Sequence, residues 1–118
     1  MTTGNAATLA NASGAGMEER LIEATIDLIA EEGGSQSVNL RQVSRRVGCA
    51  HTNVYNYFDS YRGLQWAAFR RALRVYADYL VDGLDASMPA RAYLERAIAN
   101  LASFPQQNPG LMRFIGSD

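Results

Sequence analysis

From Met17 onward the apolar residues recur at helical spacing, and nowhere do apolar and polar positions alternate long enough to predict a strand. Ile22, Ile26 and Ile29 form one stripe beside Leu21 and Leu28, which predicts a first helix over about 17–32, closed by Gly33-Gly34 as a left-handed cap. Asn39-Leu40-Arg41-Gln42 has the form of a capping box, so a second helix starts near Leu40 and stops at Val47 before the turn residue Gly48. A third helix is predicted over about 50–57. A longer fourth follows the N-cap Ser60, with Trp66, Phe69, Leu73, Tyr76 and Leu80 as one buried stripe. Ser87 before Pro89 opens a fifth helix, whose Leu94, Ile98 and Leu101 are predicted to face its core and which Pro105 is predicted to close. Asn108-Pro109 opens a sixth with Leu111 to Ile115. The fold class is therefore all-α: a three-helix domain, a long connecting helix and a partial helical bundle.

Composition narrows the chemistry. At 118 residues with 47% hydrophobic and 19% charged residues, the chain suits one globular domain rather than two. Residues 1–16 carry no charge and no aromatic ring, and read as a disordered arm. All eleven cations are Arg. With no Lys, a P-loop, a Schiff base and a lysine general base are excluded together. One Cys and one His supply neither a disulfide framework nor a zinc ligand set, so no metal site and no cofactor is expected. No nucleophile and base pair is apparent either, and the chain does not read as an enzyme. Neither a signal peptide nor a membrane span is written, which points to a cytoplasmic protein with no membrane partner.

The formal net charge of -1 hides an uneven distribution. Residues 17–32 hold six acids and one Arg, whereas residues 40–74 hold seven Arg and one acid. Two readings fit this run: a patch for a polyanion, which neutralised phosphates would bind in a salt-dependent way, or a solvated face paired with the acids of the first helix. The turn between the second and third helices bears on the choice. Ser44, Gly48 and Val54 occupy the slots of a helix-turn-helix, namely a small residue at the helix contact, Gly in the turn, and a β-branched residue beneath the reading helix.

The chain here resembles the TetR family of bacterial transcriptional regulators. The resemblance rests on Ala24, Leu28 and Glu32-Gly33, on Leu40-Arg41-Gln42-Val43-Ser44, on Val47-Gly48, on Val54-Tyr55-Asn56-Tyr57-Phe58 and on Leu64. Asn108-Pro109-Gly110-Leu111 is similar to the segment that opens the family's sixth helix. It implies a DNA-binding domain over 17–62, followed over 63–118 by a connecting helix and an incomplete regulatory region for ligand binding and dimerisation. It also implies a repressor that occupies a promoter until a small, often apolar ligand releases it. Homodimers are the family's habit, although the helices that form them lie outside this sequence. Ala50, Tyr57 and Tyr61 depart from the family's Ser, His and Lys at these places, and Arg62 stands beside the missing Lys.

Helical geometry assigns the reading face without the resemblance. At about 100° per residue, a helix with Val54 inward also turns Ala50 and Phe58 inward, points Thr52 and Asn56 outward, and leaves Asn53 and Tyr55 on the flanks. Eight residues span about 12 Å, comparable to a B-DNA major groove. Asn pairs bidentately with adenine and Thr meets the thymine methyl, so A·T pairs are expected in the target. Arg41, Arg45, Tyr57 and Arg62 are assigned to flanking phosphates of double-stranded DNA. His51 is either a phosphate or base donor or a half-exposed surface residue. Tyr55 either stacks on the DNA backbone or packs under the fourth helix. Cys49 fills the turn as a small apolar side chain. Trp66, Phe69 and Tyr76 either line a ligand pocket or belong to the core, and Arg70, Arg71 and Arg74 are expected to be solvated or paired with acids such as Asp78.

Overall fold

The computed structural model describes residues 14–117. Every regular element among them is helical: α1 (Gly14–Glu32), a 3-10 turn (Ser35–Ser37), α2 (Leu40–Val47), a 3-10 segment (His51–Asn56), α3 (Tyr61–Leu80), α4 (Ala90–Gln107) and α5 (Pro109–Ser117). Most of the arm expected over 1–16 lies outside the described residues, and its last three residues open α1 instead. No helix among the described residues is long and apolar enough to cross a membrane.

α1 is the hub, in contact with α2, α3 and α5. Its Leu21, Leu28 and Ile29 enter one core with Val43 of α2, Val54 of the 3-10 segment and Leu64 of α3, each at most 5% exposed. Thr25 is also buried there. Its hydroxyl donates to the Leu21 carbonyl over 2.8 Å, so no orphan donor enters the core.

The capping box of α2 forms as the sequence predicts. The Asn39 side chain accepts from the Gln42 amide over 2.9 Å, and the Gln42 side chain accepts from the Asn39 amide over 2.7 Å. Gly48 ends the helix at φ 85°, where a side chain would be strained. Replacing Asn39 by Ala removes one acceptor from an eight-residue helix and is expected to lower stability by about 1 kcal/mol. Chemical denaturation measures it, and an unchanged midpoint would show that packing alone holds the α2 start.

The second half departs from expectation twice. The buried line of α3 is Leu64, Ala68 and Ala72 with Ala67, while Trp66 (57% exposed) and Leu73 (40%) of the predicted stripe face outward. Small side chains let α3 lie close against α1. The larger rings then lean sideways: Phe69 meets Phe114 edge-on at 5.6 Å, and Tyr76 and Tyr79 meet Phe104 at 4.7 and 5.0 Å.

α4 is rotated relative to its prediction. Leu94, Ile98 and Leu101 are 53–59% exposed, and Asn100 and Phe104 are the buried residues. The cause is the end of α3, whose last carbonyls have no partner within the helix. The Asn100 side chain donates to the carbonyls of Leu80 (3.0 Å) and Asp82 (2.9 Å), Arg96 donates to the Asp82 carbonyl (3.2 Å) and carboxylate (3.0 Å), and Ser103 meets the Tyr79 hydroxyl at 2.6 Å. Serving these groups turns the apolar stripe about 100° to 160° away from Asn100. Pro105 lies inside α4 rather than ending it, since the helix runs on to Gln107. α5 then packs back onto α1 through Leu111 and Phe114. Gly110 permits this approach: a Cβ there would stand 2.6 Å from the Ile29 carbonyl oxygen.

Candidate nucleic-acid interface

The segment predicted as a third α-helix over about 50–57 is a 3-10 helix over six residues. Its sequence explains the tighter winding. Thr52 and Val54 are β-branched, Asn53 and Asn56 compete for backbone hydrogen bonds, and Ala50 offers no side-chain cap. The Asn53 amide accordingly donates to the Ala50 carbonyl (2.9 Å) and the Tyr57 amide to Val54 (3.0 Å). At three residues per turn, side chains three apart eclipse. His51, Val54 and Tyr57 therefore share one edge, Thr52 and Tyr55 a second, and Asn53 and Asn56 a third.

This prism keeps most of the predicted face and changes its detail. Val54 is fully buried and Phe58 half-buried against the core, whereas Thr52, Tyr55 and Asn56 are exposed and Asn53 is partly so. Ala50, expected inward, is exposed. Tyr55 is 51% exposed and does not pack into the core. The Asn56 side-chain amide donates to Asn53 Oδ1 over 2.6 Å, a pairing that eclipsed positions allow. Sequence reasoning missed it, although two Asn at i and i+3 in a segment poor in helix formers are its signal. Six residues at about 2.0 Å rise again span about 12 Å, so the match to a major groove does not depend on helix type.

The charged residues sort into two groups. Arg46 makes two 2.7 Å bonds to the Glu31 carboxylate, and Arg71 binds Glu19 over 2.5 and 2.8 Å, so both are neutralised by α1 acids and Arg71 does not use Asp78. The guanidinium bonds hold the carboxyls of Glu31 and Glu19 below their ordinary range. Arg41, Arg45 and Arg62 are exposed and make no ion pair among the described residues. Arg41 and Arg45 stand one turn apart on the outer face of α2. Arg41 and the exposed His51 line one surface cleft of about 380 Å³ with Asn39 and Leu40, which brings a cation of α2 beside the 3-10 segment. No acidic residue occurs between Glu32 and Asp59.

Tyr57, assigned to a phosphate, and Tyr61, which stands where the family has Lys, are not equivalent to these. Tyr57 is half-buried against the core. Tyr61 donates its hydroxyl to the Val38 carbonyl over 3.2 Å, and burial pushes that phenol up from its ordinary value. Arg62 alone therefore presents a cation at the start of α3. Half-buried Cys49 packs on the core beside the turn, as expected of a small apolar side chain.

The three residues assigned to a ligand pocket separate. Trp66 and Phe69 meet edge-on at 5.7 Å and line an open cleft of about 450 Å³ with Arg62, Gln65, Phe114 and Ile115. Tyr76 lies elsewhere, against Phe104. No family model matches this chain, nor does any curated protein or solved structure.

Proposed function

We propose that the chain binds duplex DNA sequence-specifically as a TetR-like transcriptional regulator, a repressor that a small-molecule ligand releases and that acts as a homodimer. The observation that carries this reading is the 3-10 segment: Val54 anchors it from below, Thr52, Tyr55 and Asn56 stand in solvent, and its His51 lines a cleft with Arg41. The buried Ser44 and Gly48 in the turn support reading α1, α2 and this segment as a helix-turn-helix. Asn53 Oδ1 accepts one side-chain amide hydrogen of Asn56, leaving the second hydrogen and Asn56 Oδ1 for the N7 and N6 positions of adenine. Arg41, Arg45 and Arg62 bind phosphates and set the register, and His51 adds a donor beside Arg41.

Selection from a random duplex library tests the proposal first, since enrichment of an A·T-containing motif is expected and no enrichment would overturn it. On the selected duplex, log affinity is expected to fall against log salt with a slope of roughly -3 or steeper, for about four neutralised phosphates. Asn56→Ala is expected to cost about 1 to 3 kcal/mol on that duplex and little on a scrambled one. Equal losses on both would remove Asn56 from the reading face.

One observation favours a second reading, a helical interaction module that pairs with another chain and binds DNA weakly or not at all. The Leu94, Ile98 and Leu101 stripe of α4 lies in solvent, and exposed apolar patches mark association surfaces. A flat salt response with a concentration-dependent mass in solution would select it over the first.

A further inference from the structure

The cleft between α3 and α5 has two unlike walls. Trp66, Phe69, Phe114 and Ile115 make an apolar side, with three aromatic rings in successive edge-to-face contact. Arg62 and Gln65, one turn apart on α3, make a polar side. Among the described residues no carboxylate lines the cleft and Arg62 has no ion-pair partner. Trp66 is 57% exposed although it is the largest apolar side chain of the protein and a core lies beside it. A volume of about 450 Å³ falls in the range of small-molecule sites, which combine mostly apolar walls with a few placed polar groups.

We infer that this cleft binds a small amphipathic carboxylate, with its hydrocarbon or aromatic body against Trp66, Phe69 and Phe114 and its anionic end on Arg62 and Gln65. The chemistry selects the class. A guanidinium binds a carboxylate through paired, charge-assisted hydrogen bonds, and the Gln65 amide donates a further one. A neutral apolar molecule leaves both polar groups unused, and a cation is repelled by Arg62. The inference deepens the ligand release proposed above, because Arg62 is also assigned to a DNA phosphate. Carboxylate and phosphate then compete for one guanidinium, and a bound ligand removes a phosphate contact.

The sole Trp of the chain stands in the cleft, so its fluorescence reports occupancy directly. Titration with 4-cyclohexylbutyrate, without DNA, is expected to shift Trp66 emission saturably, with calorimetry giving the same affinity. The neutral amide of this acid is expected to bind about tenfold more weakly or worse, and Arg62→Gln to erase that difference, because the charge-assisted bonds are lost. Arg74→Gln, outside the cleft, is expected to leave the affinity unchanged. No saturable response up to about 10 mM of either compound, or equal affinity for acid and amide, overturns the inference. These titrations fail or succeed independently of any DNA binding. With the selected duplex bound, the carboxylate is expected to bind more weakly, and an unchanged affinity would overturn the shared use of Arg62.

Discussion

Replacing Phe104 by Ala is expected to destabilise the protein by about 3 to 5 kcal/mol, the cost of removing a fully enclosed ring. Phe104 is 0% exposed, and the rings of Tyr76 and Tyr79 approach it edge-on at 4.7 and 5.0 Å. It is the one large apolar side chain by which α4 enters the core, because the polar Asn100 and Ser103 share its buried face. The cavity therefore has few neighbours able to collapse into it. Urea denaturation followed by far-ultraviolet circular dichroism measures the loss. A change below about 1 kcal/mol would mean that the hydrogen bonds from Asn100 and Arg96 to the end of α3, rather than the ring, hold α4 in place.

Removing the two outer cations of α2 together, Arg41→Ala with Arg45→Ala, is expected to weaken DNA binding about 100-fold at low salt, from roughly 1.5 kcal/mol for each charged contact. The loss should be alike on selected and scrambled duplexes, since phosphates carry no sequence information. The slope against log salt should become shallower by about 2, in keeping with two fewer neutralised phosphates. Stability should hardly change, because neither side chain has an ion-pair partner among the described residues. Arg46→Ala is the informative contrast. Its guanidinium is already bound to Glu31, so a loss on DNA as large as that of the pair would show that the α1 acids do not divide the basic run as the ion pairs suggest.

These results bear on how far the chain could be read before its structure. Asn39, Gly48 and Ser60 were placed correctly because caps and turns are local: each needs only a side-chain oxygen or a permissive backbone within three residues of the helix end. Val54 beneath an exposed Thr52 and Asn56 was also readable, since both helix types turn those two residues about 120° or more away from residue 54. The winding of that segment was not, because the 3.6-residue period was assumed where Thr52, Asn53, Val54 and Asn56 favour a tighter turn. Nor did residue spacing distinguish Arg46 and Arg71, which α1 neutralises, from Arg41, Arg45 and Arg62, which it leaves exposed.

The sequence by itself determined that the chain is helical, where most of its helices begin and end, and that its cations concentrate between residues 40 and 74, because propensity, capping and charge are properties of neighbouring residues. Only the tertiary structure decided which face each later helix turns inward. Hydrophobic spacing on α3 and α4 nominated Trp66, Leu73, Leu94, Ile98 and Leu101 for the core, yet all five are exposed. Close packing of Ala68 and Ala72 on α1, and the Leu80 and Asp82 carbonyls to which Asn100 and Arg96 donate, outweighed that pattern. A helix buries the side that satisfies its neighbours, and those neighbours are distant in sequence.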